Sequence, residues 1–336
     1  MPNRSTLFRI GTVLLLAALM ATACGTPAPE PTPVPEAAIR VALVLPGSIA
    51  DQGYNAAAYA GLMAIEEELG ADVAYREMVP LAEHEETFRD FAAEGYDVVL
   101  GHGFQFGDPV QTVAPDYPDT IFLVVNGFVA GPNYASVLHQ NQEAAYVAGH
   151  ICARMTKTNK LGAMGGFAYP VIVQQLEGFR VGAQAVNPGI EVTIAYLDSF
   201  DDIALGKEAA LAQISAGADC LFHVADAAGI GMIQACQEQG AWAVGFAYDQ
   251  NELAPDTVIT SAVVDYEKML VEAIGEIIDG TFELNTVHKY GLATEVVRVA
   301  DHHGLVPDEI AAEAEELQQQ IISGEVEVPL ISEPTQ

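Results

Sequence analysis

Short apolar runs alternate with stretches of helical periodicity along most of this chain. Residues 39–45 (IRVALVL) are apolar and rich in β-branched side chains, the mark of a strand buried on both faces. Residues 46–53 break the run, and 54–69 predict a helix stopped by Gly70. The beat continues with strands over 72–78, 97–100, 120–125 and 134–138, and helices over 83–94 and 109–114. It then restarts. Helices are predicted over 142–155, 171–186, 203–216, 230–239 and 266–279, and strands over 160–164, 190–196, 219–224, 243–247 and 257–264. Two successive α/β sets of similar size predict two lobes, each a parallel sheet covered on both faces, with a cleft between them. A last helix over 307–323 carries an apolar stripe of Ile310, Ala314, Leu317 and Ile321 that can lie on a lobe.

In open α/β sheets ligands bind beyond the carboxyl ends of the strands. That rule selects residues 48–55, 101–106, 126–128, 165–169, 199–202, 225–228 and 247–250. In the first, Asp51, Gln52, Tyr54 and Asn55 combine acid, amide and aromatic at a helix start. Asp51 either caps that helix or, with Gln52, bonds the edge of a heterocycle on whose face Tyr54 or Tyr59 stacks. Phe104 lies between glycines that permit close backbone approach, and serves either core or ligand. Phe200 stands among acids (DSFDD), a poor setting for a core residue, which favours stacking. Asp226, Tyr248 and Asp249 each either cap the next turn or face the cleft.

Charge changes the picture by exclusion. The 336 residues hold 13 Lys and Arg against 46 Asp and Glu, a balance that repels nucleic-acid backbones. Nucleotide loops and catalytic signatures are also absent: no P-loop, no G-x-S-x-G, no H-E-x-x-H, and only two of the three glycines of a dinucleotide fingerprint at 101–106. No Cys/His ligand spacing occurs, so no metal and no cofactor are expected. A binding module without chemistry is the leading class, ahead of a nucleoside-processing enzyme; a sugar binder or a sensor of the same fold stays open.

The N-terminus reads as an export signal. Arg4 and Arg9 precede the apolar run 10–20, which is too short to span a membrane, and small residues lead to Cys24. This layout resembles a bacterial lipobox, with Cys24 lipidated and the Pro-rich stretch that follows acting as a semi-rigid tether. Of the remaining cysteines, Cys220 and Cys236 are placed to come close, but three buried thiols at Cys152, Cys220 and Cys236 is the simpler expectation.

The ordered segments ADQGYNAAAYAGL (50–62), GHGFQFGDPV (101–110), YPDTIFLVVNG (117–127), AAYVAGHICARMTKTNKLGAMGG (144–166) and SFDD (199–202) resemble the basic membrane protein / purine nucleoside receptor family of ABC-transporter substrate-binding lipoproteins. The resemblance covers about residues 39–329. It implies a type I periplasmic-binding fold of two Rossmann-like lobes joined by three crossings, a small-molecule ligand, ABC permease subunits as partners and a membrane anchor. It assigns purine contacts to Asp51, Gln52, Tyr54, Asn55, Tyr59 and Phe200. It also marks departures: nucleoside-binding members carry Asp where this chain has Asn126, a D-x-D pair where it has Ala247-Tyr248-Asp249, and Lys where it has Val264. Losing these ribose-holding contacts, each charge-assisted and worth roughly 1.5–3 kcal/mol, shifts the expected ligand from nucleoside to free base. The expected division is signal 1–24, tether 25–38, a first lobe of 39–140 plus about 265–300, a second lobe of 141–264, and a C-terminal helix and tail over 301–336.

Overall fold

The structure, a computed structural model, describes residues 38–335 apart from Gln52. The expected signal, Cys24 and most of the tether therefore lie outside the described residues, as does Gln52.

Five strands open the described chain: β1 (Arg40–Val44), β2 (Asp72–Arg76), β3 (Val98–His102), β4 (Ile121–Val125) and β5 (Tyr134–His139). Between them run α1 (Tyr54–Leu69), α2 (His84–Ala93) and α3 (Gly107–Val113). The second set comprises α4 (Gln142–Met155), β6 (Lys160–Gly165), α5 (Pro170–Val186), β7 (Glu191–Tyr196), α6 (Ile203–Ser215), β8 (Cys220–Val224), α7 (Asp226–Gln239), β9 (Trp242–Ala247) and β10 (Val258–Val264). The chain closes with α8 (Tyr266–Asp279), β11 (Val287–Tyr290), β12 (Val297–Val299) and α9 (Asp308–Ile322).

Two six-stranded sheets result, ordered β2-β1-β3-β4-β5-β11 and β7-β6-β8-β9-β10-β12. The first is parallel throughout, and the second is parallel except for β12, which runs antiparallel to β10. The predicted α/β architecture of two doubly wound lobes is thus the one observed. Central strands such as Val41–Val44 are wholly buried, as near-continuous apolar runs require. The chain crosses between the sheets after β5, after β10 and after β11. In each sheet the winding reverses between the first and third strands of its set, so one switch point lies between β1 and β3 and the other between β6 and β8.

Two short strands escape the sequence pattern. β11 (VHKY) and β12 (VRV) are edge strands with polar residues and too few positions to show alternation. β12 joins the second sheet, although the sequence assigns its residues to the first lobe. Helix α7 begins at Asp226 rather than at 230, because Asp226-Ala227-Ala228-Gly229 continues as helix instead of loop.

Helices α4 and α5 approach so closely that a Cβ on Gly149 would strike the Phe179 carbonyl, and one on Gly182 the Tyr146 carbonyl. This closeness lays α4 across the start of β8, where Cys152 and Cys220 form a disulfide with Cα atoms 5.8 Å apart. The expectation of three free thiols is corrected accordingly. Cys220 does not pair with Cys236 because the two side chains occupy opposite faces of the second sheet: Cys220 lies in the core with α4 and α5, Cys236 in the core with α6 and α7. The last helix, α9, buries Ile310, Ala314 and Ile321 against the second lobe. Beyond it, Ser332 and Thr335 bond to Gln174 and Glu177 of α5. No described helix is long and apolar enough to cross a membrane.

Candidate functional site

A cavity of about 640 Å³ opens between the lobes at the carboxyl ends of the strands. It touches both switch points. Pro46–Asp51 follow β1 and Gly103–Gln105 follow β3, while Phe167 and Tyr169 follow β6 and Asp226 and Ala227 follow β8.

One wall is polar. Asn126, 2 % exposed, directly follows β4 in the left-handed region (φ 60°), a conformation that Asn tolerates better than most residues. Its Nδ2 donates to the Tyr54 hydroxyl at 3.1 Å and reaches the Tyr266 hydroxyl at 3.4 Å. Its Oδ1 is buried with no hydrogen-bond partner among the described residues. Because both tyrosine hydroxyls accept from Asn126, both retain a proton to donate. The wall therefore offers two O–H donors and one free carbonyl acceptor. Burial raises the pKa of both phenols well above the ordinary value, so both stay protonated. Tyr54 is held in place by stacking on His102, with ring centroids 3.8 Å apart, and His102 Nε2 donates to the Tyr54 carbonyl at 3.0 Å. Burial holds His102 at about 3 and His139, also in the wall, at about 4, so both rings are neutral.

The opposite wall is aromatic. Phe167 and Tyr169 stack with centroids 5.3 Å apart, and Phe200 lies 5.1 Å from Phe167. Phe104 of the first lobe meets Tyr169 of the second at 4.9 Å, so the aromatic cluster crosses the cleft. Phe200 is seated on Gly166, where a Cβ would collide with its ring.

The charged lining residues are Asp51, Asp201 and Asp226; no lysine or arginine lines the cavity among the described residues. Asp51 acts chiefly as a cap. Its carboxylate accepts from the Gly53, Asn55 and Ala56 amides and from Asn55 Nδ2, all within 2.7–2.9 Å. Asn55 returns its Oδ1 to the Gly47 amide at 3.1 Å. These two residues fix the loop that presents Tyr54.

The cavity thus gathers Asp51, Tyr54, Asn55, Phe104, Asn126, Phe200 and Asp226 from the residues singled out in the sequence. Tyr59 does not line it. Five positions along α1 turn Tyr59 about 140° from Tyr54, and it packs on Tyr75 at 4.9 Å. Tyr248 is largely exposed, beside a separate small crevice, and Asp249 pairs with His303 at 2.9 Å. Strand β9 instead supplies Phe246 to the cavity. His139, Gln175 and Tyr266 also line it and were missed. Gln175 and Tyr266 lie within predicted helices, and His139 just beyond a predicted strand; only Tyr266, at the start of a helix after a lobe crossing, carried a readable signal. No group of three or more His, Cys, Asp or Glu side chains suited to a metal ion occurs among the described residues.

Two α/β lobes with an aromatic and polar cavity between them define a two-lobed solute-binding protein. The chain belongs to the Bmp family, described as ABC transporter substrate-binding protein PnrA-like, which it matches over residues 38–332. It is 29 % identical to transcriptional activator protein med of Bacillus subtilis, over 86 % of this chain and 88 % of that protein. It is also 29 % identical to a purine-binding protein of Brucella abortus, over 73 % of this chain and 69 % of that one. Among solved structures, a solute-binding protein of an ABC transporter system from Aeropyrum pernix superposes with a TM-score of 0.74 at 26 % identity, covering 87 % of this chain and 94 % of that one.

Proposed function

We propose that this ABC substrate-binding protein captures a purine, as the free base in preference to the nucleoside, outside the cytoplasmic membrane and from a lipid anchor at Cys24. The observation that carries this reading is the pairing of an aromatic wall (Phe104, Phe167, Tyr169, Phe200) with the Asn126–Tyr54–Tyr266 polar wall. A flat heterocycle satisfies both: its face stacks and its edge bonds. Closure of the lobes on the base would create the state that the permease recognises.

The positions associated with ribose favour the base. Asn126 is neutral, Val264 is 5 % exposed within β10, and Asp249 is engaged by His303.

Calorimetric titration with adenine, guanine, adenosine, guanosine and inosine tests the reading. Tighter binding of the bases is expected, and tighter binding of the nucleosides would overturn the preference. Mass spectrometry of material released by denaturing the protein checks the purine assignment independently. Labelling of Cys24 with a radioactive fatty acid, lost in a Cys24→Ala variant, tests the anchor.

A further inference from the structure

Three acids line the cavity, and they are not equivalent. The Asp51 carboxylate is occupied by the start of α1. Asp201 is exposed to solvent. Asp226 opens α7 with φ 44° and lines both the cavity and the crevice beside it, yet its carboxyl makes no hydrogen bond and no ion pair among the described residues. Asp226 is half-buried at the cavity wall, and a carboxylate partly withdrawn from water gains from donors that offset its lost hydration. None comes from the protein. The deeply buried Asn126 Oδ1, also without a partner, is a second acceptor in the same cavity.

We propose that Asp226 and Asn126 read the ligand through its N–H groups, so that the cavity selects amino-substituted purines and rejects anionic ones such as nucleoside monophosphates. This rests on the purine reading above and names the residue that sets specificity within it. An exocyclic amine beside a ring N–H offers a carboxylate two donors; an exocyclic amine beside a ring nitrogen offers the protonated acid one donor and one acceptor. An anion in the same place faces acids and meets no cation.

The groups around Asp226 are Asp51 from the β1–α1 loop, Asp201 from the β7–α6 loop, the neutral phenols of Tyr54 and Tyr266, and His223 of β8. Burial, then the charges of Asp51 and Asp201, push Asp226 up to about 7, while burial keeps His223 neutral at about 4. A ligand that favours one of the two protonation states of Asp226 is therefore expected to move a proton on or off it near neutral pH.

The test titrates wild-type protein and Asp226→Asn with adenine, guanine, hypoxanthine and adenosine monophosphate at pH 7, in two buffers of different ionisation enthalpy. Wild type is expected to bind adenine or guanine at least ten-fold more tightly than the monophosphate, with a buffer-dependent enthalpy. Asp226→Asn is expected to lose about ten-fold or more for the amino-purines, less for hypoxanthine, and to lose the buffer dependence. Circular dichroism melting confirms that the variant is folded. Equal affinity of variant and wild type for the amino-purines, or a monophosphate bound as tightly as the base, overturns the role of Asp226 while leaving purine binding intact. Wild type that binds no purine overturns the purine reading itself.

Discussion

The Asn126 amide donates to the Tyr54 hydroxyl at 3.1 Å and so ties the end of β4 to the first turn of α1. Asn126→Ala removes this tie and places a residue with a Cβ and no compensating polar group at φ 60°. The expected loss is about 1–3 kcal/mol of stability, read by urea unfolding, together with a roughly ten-fold loss of purine affinity.

Asp51 contributes through the backbone it organises. Asp51→Ala leaves the Gly53, Asn55 and Ala56 amides without their acceptor. A loss of about 2 kcal/mol is expected from the missing cap, with weaker ligand binding because Tyr54 rides on the same turn. Asp51→Asn recovers part of both in the same unfolding and titration measurements.

Stacking is separable from folding. Phe200→Ala is expected to lower purine affinity by about 1–3 kcal/mol, the usual worth of an aromatic ring against a base. Tyr59→Ala, which removes a ring packed on Tyr75 outside the cavity, leaves affinity unchanged in the same titration.

The disulfide predicts a redox-dependent stability. Cys152 and Cys220 close a separation of 68 residues, and cross-links of this kind contribute about 2–4 kcal/mol. Dithiothreitol or Cys152→Ser with Cys220→Ser is expected to lower the unfolding midpoint accordingly. Cys236→Ala retains the full response to reductant.

Asp226 also couples stability to pH. Its folded value of about 7 lies above the ordinary 3.8, so between those values the folded protein keeps a proton that the unfolded chain releases. Its contribution to stability is therefore greatest below pH 3.8, declines as pH rises to about 7, and is level above. The buried neutral histidines act oppositely, losing stability as pH falls below 6.5. Subtracting wild type from Asp226→Asn isolates the acid: the melting temperature of the variant exceeds that of wild type most above pH 7, and the excess shrinks toward pH 4.

Much of this was legible because buried parallel strands are apolar along their whole length and their ends point at the cleft. Asp51, Tyr54 and Asn55 were selected by that rule, and Phe200 by the rule together with its acidic neighbours; all four line the cavity. Tyr266 was not, because it reaches Asn126 only after the chain has built the second lobe and returned. Cys152 escaped as a partner for Cys220 because the closeness of α4 depends on Gly149 and Gly182, whose role appears only once two helices meet. Asp249 and Tyr248 follow a strand end, as the rule requires, yet Ala247 turns to φ 68° there and carries them away from the cavity.

The late strands β11 and β12 bear on how the molecule is made. The first sheet waits for Val287–Tyr290 and the second for Val297–Val299, so neither lobe holds its full set of strands until synthesis is nearly over. The first set, complete by His139, keeps an open edge at β5 until β11 arrives, and the second, complete by Val264, keeps one at β10 until β12 arrives. Such long-range closure slows folding and ties the lobes into one event. A nascent chain ending before Val287 exposes β5 and β10 as sheet edges that β11 and β12 later cover, a form open to wrong pairing until synthesis is nearly over.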